Sequence, residues 1–176
     1  YGEVQLGPYM DQEIGQSVIL DTKKEQQALV DVLRESVVKA DSAVFAMPLT
    51  SSFVTMMNFR SEPNEDLASR VRIEARKYIP VPIGEVTIDW AEVEAGVNMS
   101  TEDKSVLVAA IQNQALNRFK VLMQFANFKE PPTEIECFSA VRGVFSEKEE
   151  NVAIIDIGAV STKLYIAHQG LLVRMH

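Results

Sequence analysis

The chain has 176 residues, 47% of them hydrophobic, and a formal net charge of −8, which argues against general nucleic-acid binding and against a basic membrane-surface patch, both of which need clustered Lys and Arg. No apolar run approaches the roughly 20 residues that cross a bilayer, so no direct membrane insertion is expected, and Tyr1 to Asp11 lacks the basic start and apolar stretch of a signal peptide. The single Cys137 excludes an intrachain disulfide and suits a reducing, cytoplasmic compartment.

In chain order, the pattern predicts a short strand at Ser17 to Leu20 and a helix from the capping Asp21 to about Ala40. Ala28, Leu29, Val32, Leu33 and Val37 share one face of that helix. Ala43 to Ala46 reads as a buried strand stopped by Pro48, and Phe53 to Phe59 as a second strand after a polar turn. Asn64 is placed to cap a helix running to about Ile79, which Pro80 and Pro82 end because the residue before a proline avoids helix. The segment EVTIDWAEVE alternates, with Val86, Ile88 and Trp90 facing one way. A turn near Gly96 to Asp103, a strand at Ser105 to Ile111, and a helix from Asn113 to about Phe128 follow. Pro131 and Pro132 precede a strand at Thr133 to Phe138, in which Cys137 packs as a small apolar side chain, and a short helix near Ser139 to Phe145. Glu147, Lys148, Glu149 and Glu150 read as a solvated linker.

The cysteine and two histidines have no metal-ligand spacing, and no nucleophile and base can be assembled, so Ser-His-Asp hydrolysis is not expected. The chemistry points instead to Asn151 to Ile166, NVAIIDIGAVSTKLYI. Two apolar strands flank a turn in which Gly158 allows close backbone approach, while amides and the hydroxyls of Ser161 and Thr162 supply donors for a phosphate. Asp156, at the strand end, is placed to hold a metal-bound water, and Lys163 could help an anion. The same Asp-x-Gly layout also suits an ordinary hairpin turn.

Alternating strands and amphipathic helices indicate a mixed α/β (α+β) fold. Two styles of strand occur. Ala43 to Ala46 and Ala153 to Ile157 are nearly all apolar, as in a sheet covered on both faces, whereas Phe53 to Phe59 and Glu85 to Glu94 alternate. The contrast suggests a small subdomain inserted into a larger one.

The turn resembles the second phosphate loop of the actin-like ATP-binding fold, with Val160 and Lys163 departing from the usual residues. A longer resemblance is carried by Glu74, Ala75, Tyr78, Ile79, Pro80, Val81, Pro82, Glu85 and Val86, which match a hallmark stretch of the type IV pilus assembly protein PilM family. FAMPLTSSFVTMMNF upstream, then VLVAAIQNQALNRFKVLMQFANF, TEIECFSAVRG and NVAIIDIGAVSTKLYI downstream, follow in that family's order. The resemblance implies an actin-like fold related to the cell-division protein FtsA. Subdomain 1A would span 1–51 and 129–150, an inserted 1C subdomain 52–128, and the start of 2A 151–176.

It also implies an adaptor that binds the cytoplasmic N-terminal tail of the inner-membrane protein PilN in a groove between 1A and 1C, and so sits peripherally at the inner-membrane pilus subcomplex. Residues of Phe53 to Phe59 and of Arg72 to Pro82 are groove candidates. For the full-length protein the resemblance implies ATP and Mg²⁺, with Gly158, Ala159, Ser161, Thr162 and Lys163 near phosphate and Asp156 on the metal through water. At most a slow ATPase switch is implied. This chain lacks the family's first phosphate loop, so by itself it is expected to hold no nucleotide. An FtsA-like or secretion-system scaffold that self-associates through 1C is the alternative, and exposed strand edges would favour such association.

Overall fold

Alternation of apolar and polar side chains builds a three-stranded antiparallel sheet within Ala46–Asn117, one of the two units into which the chain divides. The other unit comprises Tyr1–Phe45 and Arg118–His176. The computed structural model describes residues 1–16, 18–60, 65–93, 103–129, 132–145, 151–158 and 161–176. Helices and strands alternate along the chain, as the mixed α/β expectation requires: α1 (Thr22–Glu35), β1 (Phe45–Met47), β2 (Ser52–Arg60), α2 (Leu67–Ala75), β3 (Val86–Val93) and β4 (Asp103–Gln112). Then follow α3 (Asn113–Phe125), β5 (Thr133–Ile135), α4 (Glu136–Val144), β6 (Asn151–Ile157), β7 (Thr162–His168) and β8 (Leu171–Met175).

In the Ala46–Asn117 unit the strand order is β2-β4-β3. The register sets Met57 against Val106 and Trp90 against Val108, so one face collects Met57, Phe59, Val86, Val106, Val108 and Ala110. Helix α2 covers that face with Val71 and Ala75, and Trp90 packs against the same cluster. The N-cap of α2 is Asp66, whose carboxylate accepts from the Ala68 and Ser69 amides; Asn64 lies outside the described residues. The helix stops at Ala75 instead of running to Ile79, because tighter i to i+3 bonds from the Lys77 and Tyr78 amides close its last turn. That closure leaves Ile79 buried in the core.

Glu74 is buried on α2 and paired with Lys77 Nζ at 2.5 Å and Arg70 Nη2 at 3.0 Å. The Lys77 hydrogen bond holds its carboxyl below the usual glutamate value of 4.5, against the opposing effect of burial. A carboxyl depressed in the folded state adds stability that is present above its unfolded pKa and lost as pH falls through the folded one. Stability should therefore decline on acidification below about pH 4.5, and more steeply in the wild type than in Glu74→Gln. Urea midpoints measured across that range check this; parallel slopes would refute it.

In the other unit, Asp21 caps α1 by accepting from the Lys24 amide at 3.0 Å. Helix α1 ends at Glu35, not near Ala40, because Val37 takes a left-handed φ of 54° and the Val38 amide donates to the Leu33 carbonyl. Asn127, at φ 59°, closes α3 in the same way at Phe125, short of Phe128. Arg118 on α3 ties to α1, donating to Glu25 Oε2 at 2.8 Å and to the Leu20 carbonyl at 3.2 Å. The expected strand at Ser17 to Leu20 does not form over Val18 to Leu20, and Ser17 lies outside the described residues.

Strand β5 is shorter than Thr133 to Phe138. Helix α4 begins at Glu136, an acid suited to a helix N-terminus, so Cys137 is a buried helix residue and not a strand one. Strands β6, β7 and β8 form an antiparallel meander on which α4 packs. Gln169 and Gly170, both at positive φ, make the β7–β8 turn. Strand β6 is not covered on both faces as its apolar run suggested: Val152, Ile154 and Asp156 are half-buried, while Ile155 is 66% and Ile157 80% exposed.

Candidate functional site

The strand period of two decides which residues of the β6–β7 hairpin meet. Asp156 stands directly opposite Lys163, and Ile157 opposite Thr162. Asp156 and Lys163 thus share the face that carries Tyr165 and Ile154, while Thr162 lies on the other face beside Ile157. Across the turn the Gly158 amide donates to the Ser161 carbonyl at 3.0 Å. A Cβ at Gly158 would lie 3.1 Å from that carbonyl oxygen, so the turn is tight enough to favour glycine. Ser161 is exposed, and Ala159 and Val160 lie outside the described residues.

A residue that sequence patterning did not single out joins this face. Glu136, the first residue of α4, places its Oε1 2.9 Å from Lys163 Nζ, and Asp156 Oδ2 lies 3.6 Å from the same nitrogen. The hydrogen bond to Glu136, aided by Asp156, holds the Lys163 ammonium above its ordinary value. The sequence pattern placed Glu136 inside the strand expected over Thr133 to Phe138, and its acid character at what proves to be a helix start is the one signal that could have found it. Beneath the pair, Tyr165 is 1% exposed, and its buried Oη has no hydrogen-bond partner among the described residues. Burial, then the Glu136 and Asp156 charges, push that phenol up to about 12. Burial likewise pushes the Cys137 thiol up to about 11, which makes it inert.

The donors near the turn are the exposed Ser161 hydroxyl and the Lys163 ammonium, groups of a kind that suit an anion such as phosphate, although Lys163 already faces Glu136 and Asp156; the Tyr165 phenol is sealed beneath them. The Gly158 amide is already engaged within the turn. The same set does not fit Mg²⁺, which seeks oxygen acceptors, because Asp156 is faced by an ammonium. Among the described residues no group of three or more His, Cys, Asp and Glu could hold a metal ion.

A second concavity belongs to the same unit. A cavity of about 160 Å³ is lined by Phe45, Phe119, Met123 and Phe128, with Lys120 and Gln124 also at its wall. The Phe45 and Phe119 rings lie 4.4 Å apart at 39°, which shapes one side of it. The groove candidates of the other unit are partly spent on its core: Met57, Phe59, Ala75 and Ile79 are buried there. Tyr78 stays exposed. Among the described residues no helix is long and apolar enough to cross a membrane.

The family model described as type IV pilus assembly protein PilM matches residues 3–175. Among solved structures, the chain is similar to one described as a PilM–PilN type IV pilus biogenesis complex, at TM-score 0.71 and 23% identity. That likeness covers 86% of this chain and 46% of the other. It is also similar to the cytoplasmic domain of EpsL, an inner-membrane component of the type II secretion system of Vibrio cholerae, at TM-score 0.54 and 10% identity. There it covers 93% of this chain and 60% of the other, so the chain spans less than two thirds of the length of each of these two structures. Both likenesses bear on fold alone, and they agree with the mixed α/β class expected from the sequence.

Proposed function

The chain belongs to the type IV pilus assembly protein PilM family, and from that membership we propose that it is an adaptor module that binds the cytoplasmic N-terminal tail of a PilN-like inner-membrane protein. The observation that carries this reading is a fold shared over 86% of the chain with a structure described as a PilM–PilN complex. The cavity lined by Phe45, Phe119, Met123 and Phe128 offers a pocket for one apolar anchor of a disordered tail that orders on binding. The module then works at the cytoplasmic face, held at the inner membrane through this partner. The Ala46–Asn117 unit is the inserted 1C subdomain on this reading, and β6 to β8 open subdomain 2A.

The solved PilM–PilN structure that the chain resembles is longer than this chain, and ATP binding is proposed for a protein of that length, with Ser161 and Lys163 as its candidate phosphate contacts. A self-associating scaffold is the second reading, supported by the exposed apolar side chains Ile155, Ile157, Leu164 and Ile166 on the meander.

Titrating a labelled PilN-like tail peptide into the chain, with and without ATP, tests both. The adaptor predicts saturable binding independent of ATP, weakened at least about tenfold by Phe119→Ala. A folded chain that binds no peptide removes the adaptor reading. Sedimentation of the same samples should show assembly that Ile157→Lys abolishes only if the scaffold reading holds.

A further inference from the structure

Asp156 and Glu136 come from different elements, the end of β6 and the start of α4, yet their carboxylates share one cation. Lys163 Nζ is 2.9 Å from Glu136 and 3.6 Å from Asp156, and the Lys163 and Glu136 side chains are only 23% and 25% exposed. Among the described residues, the Tyr165 hydroxyl, which has no hydrogen-bond partner there, and the Cys137 thiol also lie within electrostatic reach. Around two carboxylates, then, stand an ammonium and a phenol, both hydrogen-bond donors, where a hard divalent ion would need further oxygen acceptors in near-octahedral array. A divalent ion entering here must displace the ammonium and then remain beside its charge on a short tether.

We propose that Lys163 is a built-in counter-cation for Asp156 and Glu136, holding the place of a divalent metal at this hairpin. The carboxylate pair is neutralised from within the chain, and a phosphate brought to the turn meets an ammonium instead of Mg²⁺. The ion pairing holds with or without nucleotide; only the consequence for ATP rests on the reading above.

Mn²⁺, followed by the electron paramagnetic resonance of the free ion, is the probe. Wild-type chain and Asp156→Asn should bind it equally weakly. Lys163→Met keeps the aliphatic stem and removes the charge. It should gain one Mn²⁺ site at least about tenfold tighter than any in the wild type, the scale on which one neighbouring charge shifts an equilibrium. Mg²⁺ should compete for that site, and adding Asp156→Asn should remove it. A wild-type site that Asp156→Asn abolishes overturns the proposal, and so does a folded Lys163→Met that gains none. Circular dichroism reports folding, and Lys163→Gln replaces Lys163→Met should the latter unfold; the wild-type comparison with Asp156→Asn decides without either. In a longer protein that binds ATP, affinity should be the same in EDTA as in Mg²⁺. A longer protein that binds no ATP removes the nucleotide reading and leaves the Mn²⁺ result to stand by itself.

Discussion

Met57→Ala should lose about 2–5 kcal/mol of stability, the range for removing a buried methionine side chain from a packed core. Met57 is 1% exposed, faces Val106 across the β2–β4 ladder, and sits in the cluster that α2 closes with Val71 and Ala75. Two effects add: the transfer free energy of the lost methylenes and thioether, and the cavity left where the sheet and α2 cannot collapse together. Against a domain stability of about 5–15 kcal/mol, a loss of that size leaves the unit marginal. The only tryptophan, Trp90, packs against this same cluster, so its fluorescence reports on this unit. Urea unfolding followed at Trp90 should move to a clearly lower midpoint. A loss under about 1 kcal/mol would mean that the core repacks around the gap and that the Met57 site is less constrained than its burial indicates.

Tyr165 should give opposite results for two substitutions. Tyr165→Ala removes a fully buried aromatic ring between β7 and its neighbours and should cost about 3–5 kcal/mol. Tyr165→Phe keeps the ring and removes a hydroxyl that is buried without a partner, so it should be neutral or should stabilise by about 1 kcal/mol. The alkaline limb adds a second readout. A phenol raised from 10.0 to about 12 in the folded state contributes stability that is present below pH 10 and lost as pH rises toward 12. Lys163, also raised, loses its contribution in the same direction. Tyr165→Phe should therefore decline less steeply than wild type above pH 10. Cys137, buried on α4 in the same unit, supplies the probe, since its thiol reacts only when that unit opens. A loss of more than about 1 kcal/mol in Tyr165→Phe at pH 7 would show that the hydroxyl is bonded after all.

Several local determinants were carried by the sequence alone, although the α2 cap proved to be Asp66 where Asn64 was expected. The alternation of Val86, Ile88 and Trp90 encodes β3 and its buried face, because a strand's side chains separate by parity whatever packs on them. Asp21 caps α1 as its side chain and spacing require. The hairpin from Asn151 through Lys163 follows from two apolar runs flanking a glycine turn, and parity on it already sets Asp156 and Lys163 on one face. Colinear motifs from Phe45 to Ile166 sufficed for the family, matched over residues 3–175.

Tertiary structure decided what depends on distant partners or on competition between local preferences. Apolar periodicity runs through Val37, yet α1 stops before it, because a left-handed residue there lets the Val38 amide reach the Leu33 carbonyl. Cys137 looked like a strand residue in an apolar run, but α4 starts one residue earlier and buries it. The apolar β6 suggested cover on both faces; α4 packs on the meander, and Ile155 and Ile157 are left open. Glu136 reaches Lys163 only because α4 lies on the meander, and no local pattern records a contact between residues so far apart in the chain. Parity and capping act over a few residues and can be read along the chain, whereas the cation at the carboxylate pair is set by which helix end packs over which strand.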